Sequence, residues 1–365
     1  MVKKFSEFIF ESDGIELHYY AFDWDDNILH MPTVIHMDKK VGDEWQPVDV
    51  STSDFAEVRN DKENYRLRNN DPSEAFSEFR DEGPRGGDAF LLDTKKALSQ
   101  NEMGPSWDAF IECLREGSLF AIITARGHEP ETIRKSVEYI IDNVLSEEDR
   151  FLLYSNCLKH AYIFAHDEEF DRIPKGTLTQ TPLVQVYLDE CSYYGVSSNS
   201  FSKEFGEASA SNPEKAKELA LEKFISKCND LGKKVGAKSV SIGFSDDDPK
   251  NVEHVRTYFK ERSALENELM PHDVKFNLYK TSDRQIKGGE RTKFHPMKEA
   301  ADSSIAPGMQ TSVMPFSQFN NMKDRMFTDP NEYDKSMKMG TKQLVKMSKE
   351  NTKNISKRKK RKIKK

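Results

Sequence analysis

"IELHYYAFDWDDN", residues 15–27, runs through a β-branched and aromatic stretch straight into three carboxylates, Asp23, Asp25 and Asp26. Residues 15–22 have the character of a buried strand that ends at the acids. A lone acidic cluster behind a strand is most often turn and cap chemistry. What the rest of the chain sets beside it decides the reading.

Outward from this strand the chain alternates strand and helix. "WDAFIECLREGSLFAIITARGHEPETIRKSVEYIIDNVL" reads as helix, continuous apolar strand and second helix. Ile133, Val137, Ile140, Ile141 and Val144 recur at helical spacing, and Pro130 suits the first turn. "LVQVYLDE" reads as another strand, followed by a Ser-rich loop. A helix is expected from Asn212 as cap and Pro213 at its first position, and Lys215 falls in that first turn. The strand "KSVSIGF" leads into "SDDDPKNVEHVRTYF", where Asp248 caps and Pro249 starts a helix with Val252, Val255 and Phe259 on one face. Continuous apolar strands alternating with helices predict an α/β fold, a doubly wound parallel sheet covered on both sides.

Bulk properties fit this core with polar additions. The 365 residues suffice for a sizeable core, and 36% hydrophobic against 32% charged residues favours a globular body with polar insertions or tails. Apolar runs are too short to span a bilayer and the N-terminus lacks a secretory apolar region, so a cytoplasmic protein with no membrane partner is expected. Four widely spaced cysteines without a C-x-x-C pair argue against a zinc site and a disulfide framework. Residues 335–365 hold fourteen basic residues and one acid. That balance of +13 within a net charge of −7 leaves −20 on residues 1–334.

In an open parallel sheet, ligands bind outside the carboxyl ends of the strands, where loops enter helices. Asp23 and Asp25, Thr124, Lys215, and Asp246 with Asp247 all fall at such places. Together, "FDWDDN", "AIITARG", a lysine near a helix start and "GFSDDDPKNV" resemble, in order, the four motifs of the haloacid dehalogenase (HAD) superfamily of phosphohydrolases. The resemblance covers roughly residues 15–285, within a HAD-like domain expected over residues 15–287. It implies a HAD-like Rossmannoid core whose Asp23 attacks a phosphate ester and is left as an aspartyl phosphate. Asp25 would protonate the leaving oxygen and then activate water. Thr124 would hydrogen-bond a phosphate oxygen, and Lys215 would neutralise the nucleophile and the transferring group. Mg²⁺ would be held by Asp23, the Asp25 carbonyl and Asp246, with Asp247 as a further ligand. Two positions depart from the family pattern. Asn27 stands where Thr or Val is usual, and Lys217 competes with Lys215, which is preferred here because a cation in a helix's first turn opposes the dipole. Arg126 and His128 lie near the expected mouth.

Residues 31–117 open with "TVIHMDKKVGDEWQPVDV", a hairpin turning near Gly42 and Asp43, and continue in polar loops. The resemblance makes them a cap over the site that excludes water and selects substrate. A second polar insertion is expected between Thr124 and Lys215.

The ends add context. Residues 1–14 include "KKFSEFIFE", a short amphipathic helix with Phe5, Phe8 and Ile9 on one face. The same stretch resembles the capsid-targeting peptides of proteins packaged in the heads of large tailed phages, whose protease cuts after Leu/Ile-x-Glu, here Ile9-Phe10-Glu11. That resemblance implies a phage capsid as partner, with the protein in host cytoplasm or packaged in the virion. Residues 288–365 read as a disordered tail with a helix near "TKQLVKMSKENTK". Its end, "SKRKKRKIKK", suits phosphates of RNA or DNA without sequence specificity, or serves solubility alone. The expected function is therefore a Mg²⁺-dependent phosphatase acting on a phosphorylated substrate such as a nucleotide or nucleic-acid end. The alternative is a catalytically silent protein of the same fold, associated with a virion or with nucleic acid.

Overall fold

The structure, a computed structural model, describes residues 16–164, 178–206, 212–235, 237–265 and 274–281. The expected N-terminal targeting peptide and the basic tail with its helix lie outside these residues. Five strands, β1 (Glu16–Phe22), β5 (Phe120–Thr124), β6 (Ser192–Gly195), β7 (Ser239–Asp246) and β8 (Val274–Lys280), form one sheet in the order β6-β5-β1-β7-β8. Every neighbouring pair is parallel. β1 lies in the middle because both its faces are apolar: Tyr19, Ala21 and Phe22 are all buried. β5 is buried at all five positions. Starting from β1 the chain steps outward to β5 and β6, then returns to the other flank of β1 for β7 and β8. The winding thus reverses at β1. The crevice beyond the carboxyl ends of β1 and β7 is where such a sheet binds ligands.

A second sheet, ordered β3-β2-β4, is built from β2 (Ile35–Val41), β3 (Glu44–Val50) and β4 (Tyr65–Leu67). β2 and β3 form the expected hairpin. Val41 pairs with Glu44, and Gly42 takes a φ of 65° that a two-residue hairpin turn requires. Helix α1 (Thr52–Val58) and the short α2 (Pro72–Ala75) complete this part. Its own small core is Ile35, Met37, Val50 and Phe79, with Phe55 and Phe76 packed against it.

Residues 31–117, expected as a single cap insertion, therefore divide. Helices α3 (Ala89–Ser99) and α4 (Trp107–Glu116) belong to the main core. Phe110 of α4 meets Phe22 and Phe120 edge-on, and Trp24 packs on Phe90 of α3 and on Phe110. Buried aromatics on these helices close the central sheet, so the separately packed part ends before Ala89.

The remaining helices are α5 (Pro130–Asn143), α6 (Glu147–Phe164), α7 (Pro182–Glu190), α8 (Asn199–Phe205), α9 (Pro213–Val235) and α10 (Pro249–Leu265). α7 corrects the expectation of a strand over "LVQVYLDE". The Thr181 hydroxyl accepts from Val184 N, Pro182 occupies the first turn, and Leu183, Val184, Tyr187 and Leu188 are buried at helical spacing. The actual strand is β6, four residues taken from the stretch read as a Ser-rich loop. The expected caps of α9 and α10 are present: Asn212 Oδ1 accepts from Lys215 N at 3.1 Å, and Asp248 Oδ1 from Lys250 N at 2.9 Å.

Candidate active site

β1 does not stop at Phe22 by accident of sequence. Asp23 N still donates to Ser245 O at 2.9 Å, and then the chain turns sharply, with Ile28 N bonded to Trp24 O and Asp26 at a φ of 54°. Aspartate is one of the few side chains that tolerate this left-handed region. Trp24 points into the core, where it is fully buried. Its neighbours Asp23 and Asp25 are thereby left at the carboxyl edge of the sheet.

Asn27 holds this turn against the end of β7. Its amide nitrogen donates to Asp23 O (3.0 Å), Ser245 O (3.1 Å) and Ser245 Oγ (3.0 Å). Its amide oxygen accepts from Ser106 Oγ (2.7 Å) and Thr281 Oγ1 (2.8 Å). Asn27 is thus a fully buried and fully satisfied junction between β1, β7 and the segments leading into α4 and out of β8.

Asp246, the last residue of β7, comes beside Asp23 because β1 and β7 are neighbours, with Phe22 in register with Ser245. Between the two carboxylates lies Lys217 Nζ, 2.9 Å from Asp23 Oδ1 and 2.8 Å from Asp246 Oδ2. Asp246 Oδ1 accepts from Asp248 N (2.9 Å) and Asn251 Nδ2 (3.1 Å). Asp247 is half-buried, and it, Asp23 and Asp246 each offer a carboxylate oxygen within 4.8 Å of the others.

This placement corrects the choice of lysine. Lys215 is exposed, and its backbone N–H is spent on the Asn212 cap. Two residues along a helix is about 200° of rotation, so Lys217 lies on the opposite side, which faces the sheet.

Electrostatics at this cluster are dominated by burial. Burial pushes the Asp23 carboxyl well above the usual range; Lys217 opposes that shift, while Asp246 and Asp25 add to it. Asp247 is also raised well above its ordinary value, by burial first and then by Asp246, Asp23 and Asp26. Burial works against the Lys217 ammonium, but Asp23 and Asp246 outweigh it and raise its pKa.

Asp25 has a different environment. Arg126 Nε lies 2.8 Å from Asp25 Oδ2 and Arg126 Nη2 lies 2.7 Å from Oδ1, a two-bond fork. Thr124, the last residue of β5, donates its hydroxyl to Asp25 Oδ2 at 3.1 Å. A bond from Thr124 to a phosphate oxygen would have to replace that contact. The Arg126 guanidinium is sandwiched near Phe79 and Phe90, 4.4 and 5.3 Å from the ring centres. His128 is fully buried and bonds through Nδ1 to Asp81 at 2.8 Å; burial and the nearby Arg126 lower its pKa against the opposing pull of Asp81. Asp81 also accepts from Glu129 N and Thr132 Oγ1, tying the insertion to the start of α5.

The insertion closes on the acidic edge. Arg59 at the end of α1 pairs with Asp248 at 2.9 Å, and Thr52 donates to Asp26 at 2.6 Å. Asp23 is left 5% exposed.

The expected residues Asp23, Asp25, Thr124, Asp246 and Asp247 therefore meet at one end of the sheet, and Lys215 does not. Arg126 and Asn27 carry more of the site's geometry than their sequence context indicated. Among the described residues no helix is long and apolar enough to cross a membrane. No protein-family model, curated protein or solved structure matches this chain.

Proposed function

We propose that this chain is a Mg²⁺-dependent phosphatase of the haloacid dehalogenase type, with Asp23 as nucleophile and Asp25 as general acid and base. The observation behind the reading is the meeting of Asp23, Lys217, Asp246 and Asp247 at the switch point of a parallel sheet. Three carboxylates facing one ammonium leave an excess of negative charge. Oxygen donors alone, without His or Cys in the cluster, suit a hard cation. Asp23, Asp246 and Asp247, with the Asp25 carbonyl, would hold Mg²⁺, which supplies charge neutralisation and Lewis acidity toward a phosphoryl oxygen when bound.

Lys217 engages Asp23 Oδ1, and in this reading Oδ2 makes the attack. Its lone pair forms the new O–P bond as the ester O–P bond breaks, and Asp25 gives its proton to the departing oxygen. Water then attacks phosphorus and yields a proton to Asp25, which releases inorganic phosphate and restores the Asp23 carboxylate. Lys217 offsets the charge of the Asp23 carboxylate before attack and that of the phosphoryl group once it is attached. The basic tail favours nucleotides or nucleic-acid phosphate ends as substrates.

One observation favours the silent alternative: the Thr124 hydroxyl, expected to meet a phosphate oxygen, is bonded to Asp25 instead, at 3.1 Å. A screen of nucleotides, sugar phosphates and 3′- or 5′-phosphorylated oligonucleotides, with and without Mg²⁺, separates the two. Mg²⁺-dependent phosphate release from any of them supports the enzyme. No release from all of them supports the silent protein.

A further inference from the structure

We propose that Arg126 is the positioning residue for Asp25, and that a side-chain relay through Thr33 and Asp93 sets its geometry. The proposal rests on the phosphatase reading above. A general acid works only when its oxygen is held within hydrogen-bond reach of the departing atom, and misplacement by an ångström costs orders of magnitude in rate. Asp25 lies in the turn that follows β1, and its carboxylate is held by partners from other segments. The carboxylate is held by the Arg126 fork, with two bonds at 2.8 and 2.7 Å, together with the Thr124 hydroxyl at 3.1 Å. A lysine at this place would keep the charge and lose the fork.

Arg126 is in turn immobilised. It is 2% exposed and lies against the faces of Phe79 and Phe90. Its Nη2 donates to Thr33 Oγ1 at 2.8 Å, and Thr33 donates to Asp93 Oδ2 at 2.5 Å. Asp93 is gripped by both Arg85 nitrogens, at 2.6 and 2.7 Å. The relay runs from the insertion and α3 to the reacting edge of the sheet, so the packing of the insertion sets where Asp25 points.

Stability alone does not account for this arrangement. Arg126 Nη1 is buried with no hydrogen-bond partner among the described residues. A buried guanidinium left partly unsatisfied is costly, and an apolar side chain between two phenyl rings would avoid that cost. The group is retained for the geometry of its other edge.

The test uses the full chain with Mg²⁺ and three esters of falling leaving-group acidity: p-nitrophenyl phosphate, phenyl phosphate and glycerol phosphate. A departing nitrophenolate needs little proton donation, whereas an alkoxide needs much. In Arg126→Lys and Thr33→Val, kcat/KM for glycerol phosphate should fall by about 10²-fold, the usual share of general acid catalysis, and for p-nitrophenyl phosphate by less than about tenfold. Methylguanidinium should restore part of the glycerol phosphate rate in Arg126→Gly and none in Asp25→Asn. Thr33→Val, which preserves shape, decides the matter if the Arg126 variants fail to fold. Equal losses on all three esters, or no loss in folded Arg126→Lys, overturn the positioning role while leaving the phosphatase reading intact. A parent chain inactive on all three esters and on every nucleotide and phosphorylated oligonucleotide of the screen above overturns both.

Discussion

Asp23 and Lys217 are 194 residues apart in sequence and 2.9 Å apart in space. The contact exists because β1 ends at Asp23 and α9 crosses above the sheet with Lys217 on its inward face. Lys217 is shared with Asp246, so removing its ammonium leaves two buried carboxylates facing each other. Lys217→Met should therefore lower unfolding free energy by about 3 kcal/mol in urea titrations without Mg²⁺. The exposed Lys215→Met should change it by less than about 0.5 kcal/mol. Equal effects would mean that the pairing does not exist in solution.

Asn27 makes five hydrogen bonds, one to Asp23 O in its own segment and four to buried partners on three other segments. Asn27→Ala strands these partners and should cost about 2–4 kcal/mol, since each unsatisfied buried group costs on the order of 1 kcal/mol or more. Asn27→Thr, the residue usual in the resembled family, keeps one donor and one acceptor and should cost less. Denaturant titration of the three proteins checks the order.

Glu116, at the end of α4, is pushed from its ordinary 4.5 up to about 7 by burial and then by Glu112. Between these two values the native state keeps a proton that the unfolded chain has released. This group's contribution to stability therefore declines as pH rises across that window and is constant above it. Glu116→Gln should remove that decline, raising stability at pH 8 by on the order of 1 kcal/mol and leaving pH 4 nearly unchanged. Melting curves at both pH values measure the difference, and a gain confined to pH 4 would reverse the assignment.

The basic segment is separable from the site. Deleting residues 335–365 removes a balance of +13. Affinity for an oligonucleotide should fall and its dependence on salt should flatten, because fewer counterions are released. Hydrolysis of a small phosphate ester should be unaffected, as none of the proposed site residues lies beyond Asp247. An unchanged salt slope would reduce the tail to a solubilising role.

Some of this architecture is legible in the sequence for definite reasons. Strands buried on both faces read as continuous apolar runs, so β1, β5 and β7 stand out, and the acids at their ends mark the functional edge. Asn212-Pro213 and Asp248-Pro249 announce their helices because cap chemistry is local. α7 was hidden because a short, mostly apolar stretch such as "LVQVYL" fits strand and helix alike; the deciding signal was Thr181-Pro182 in front of it. β6 is too short to show a pattern. Lys217 was within reach. It shares an i, i+3, i+4, i+7 stripe with Ala220, Leu221 and Phe224, all buried, and that period outweighs the helix-dipole argument that favours Lys215. Arg126 had no such signal, since its partners Asp25, Thr33 and Asp93 are brought to it only by the fold.

The central claim is that Asp23 becomes phosphorylated. The direct measurement is to quench the Mg²⁺-loaded protein with acid during turnover of a phosphate ester, reduce acyl phosphates with borohydride, and map the modified residue by mass spectrometry. Reduction of Asp23 to homoserine is expected in the peptide containing "FDWDDN", absent without substrate and absent in Asp23→Asn, which should also lose turnover. Turnover that persists in Asp23→Asn, or a label on any other carboxylate, would contradict it.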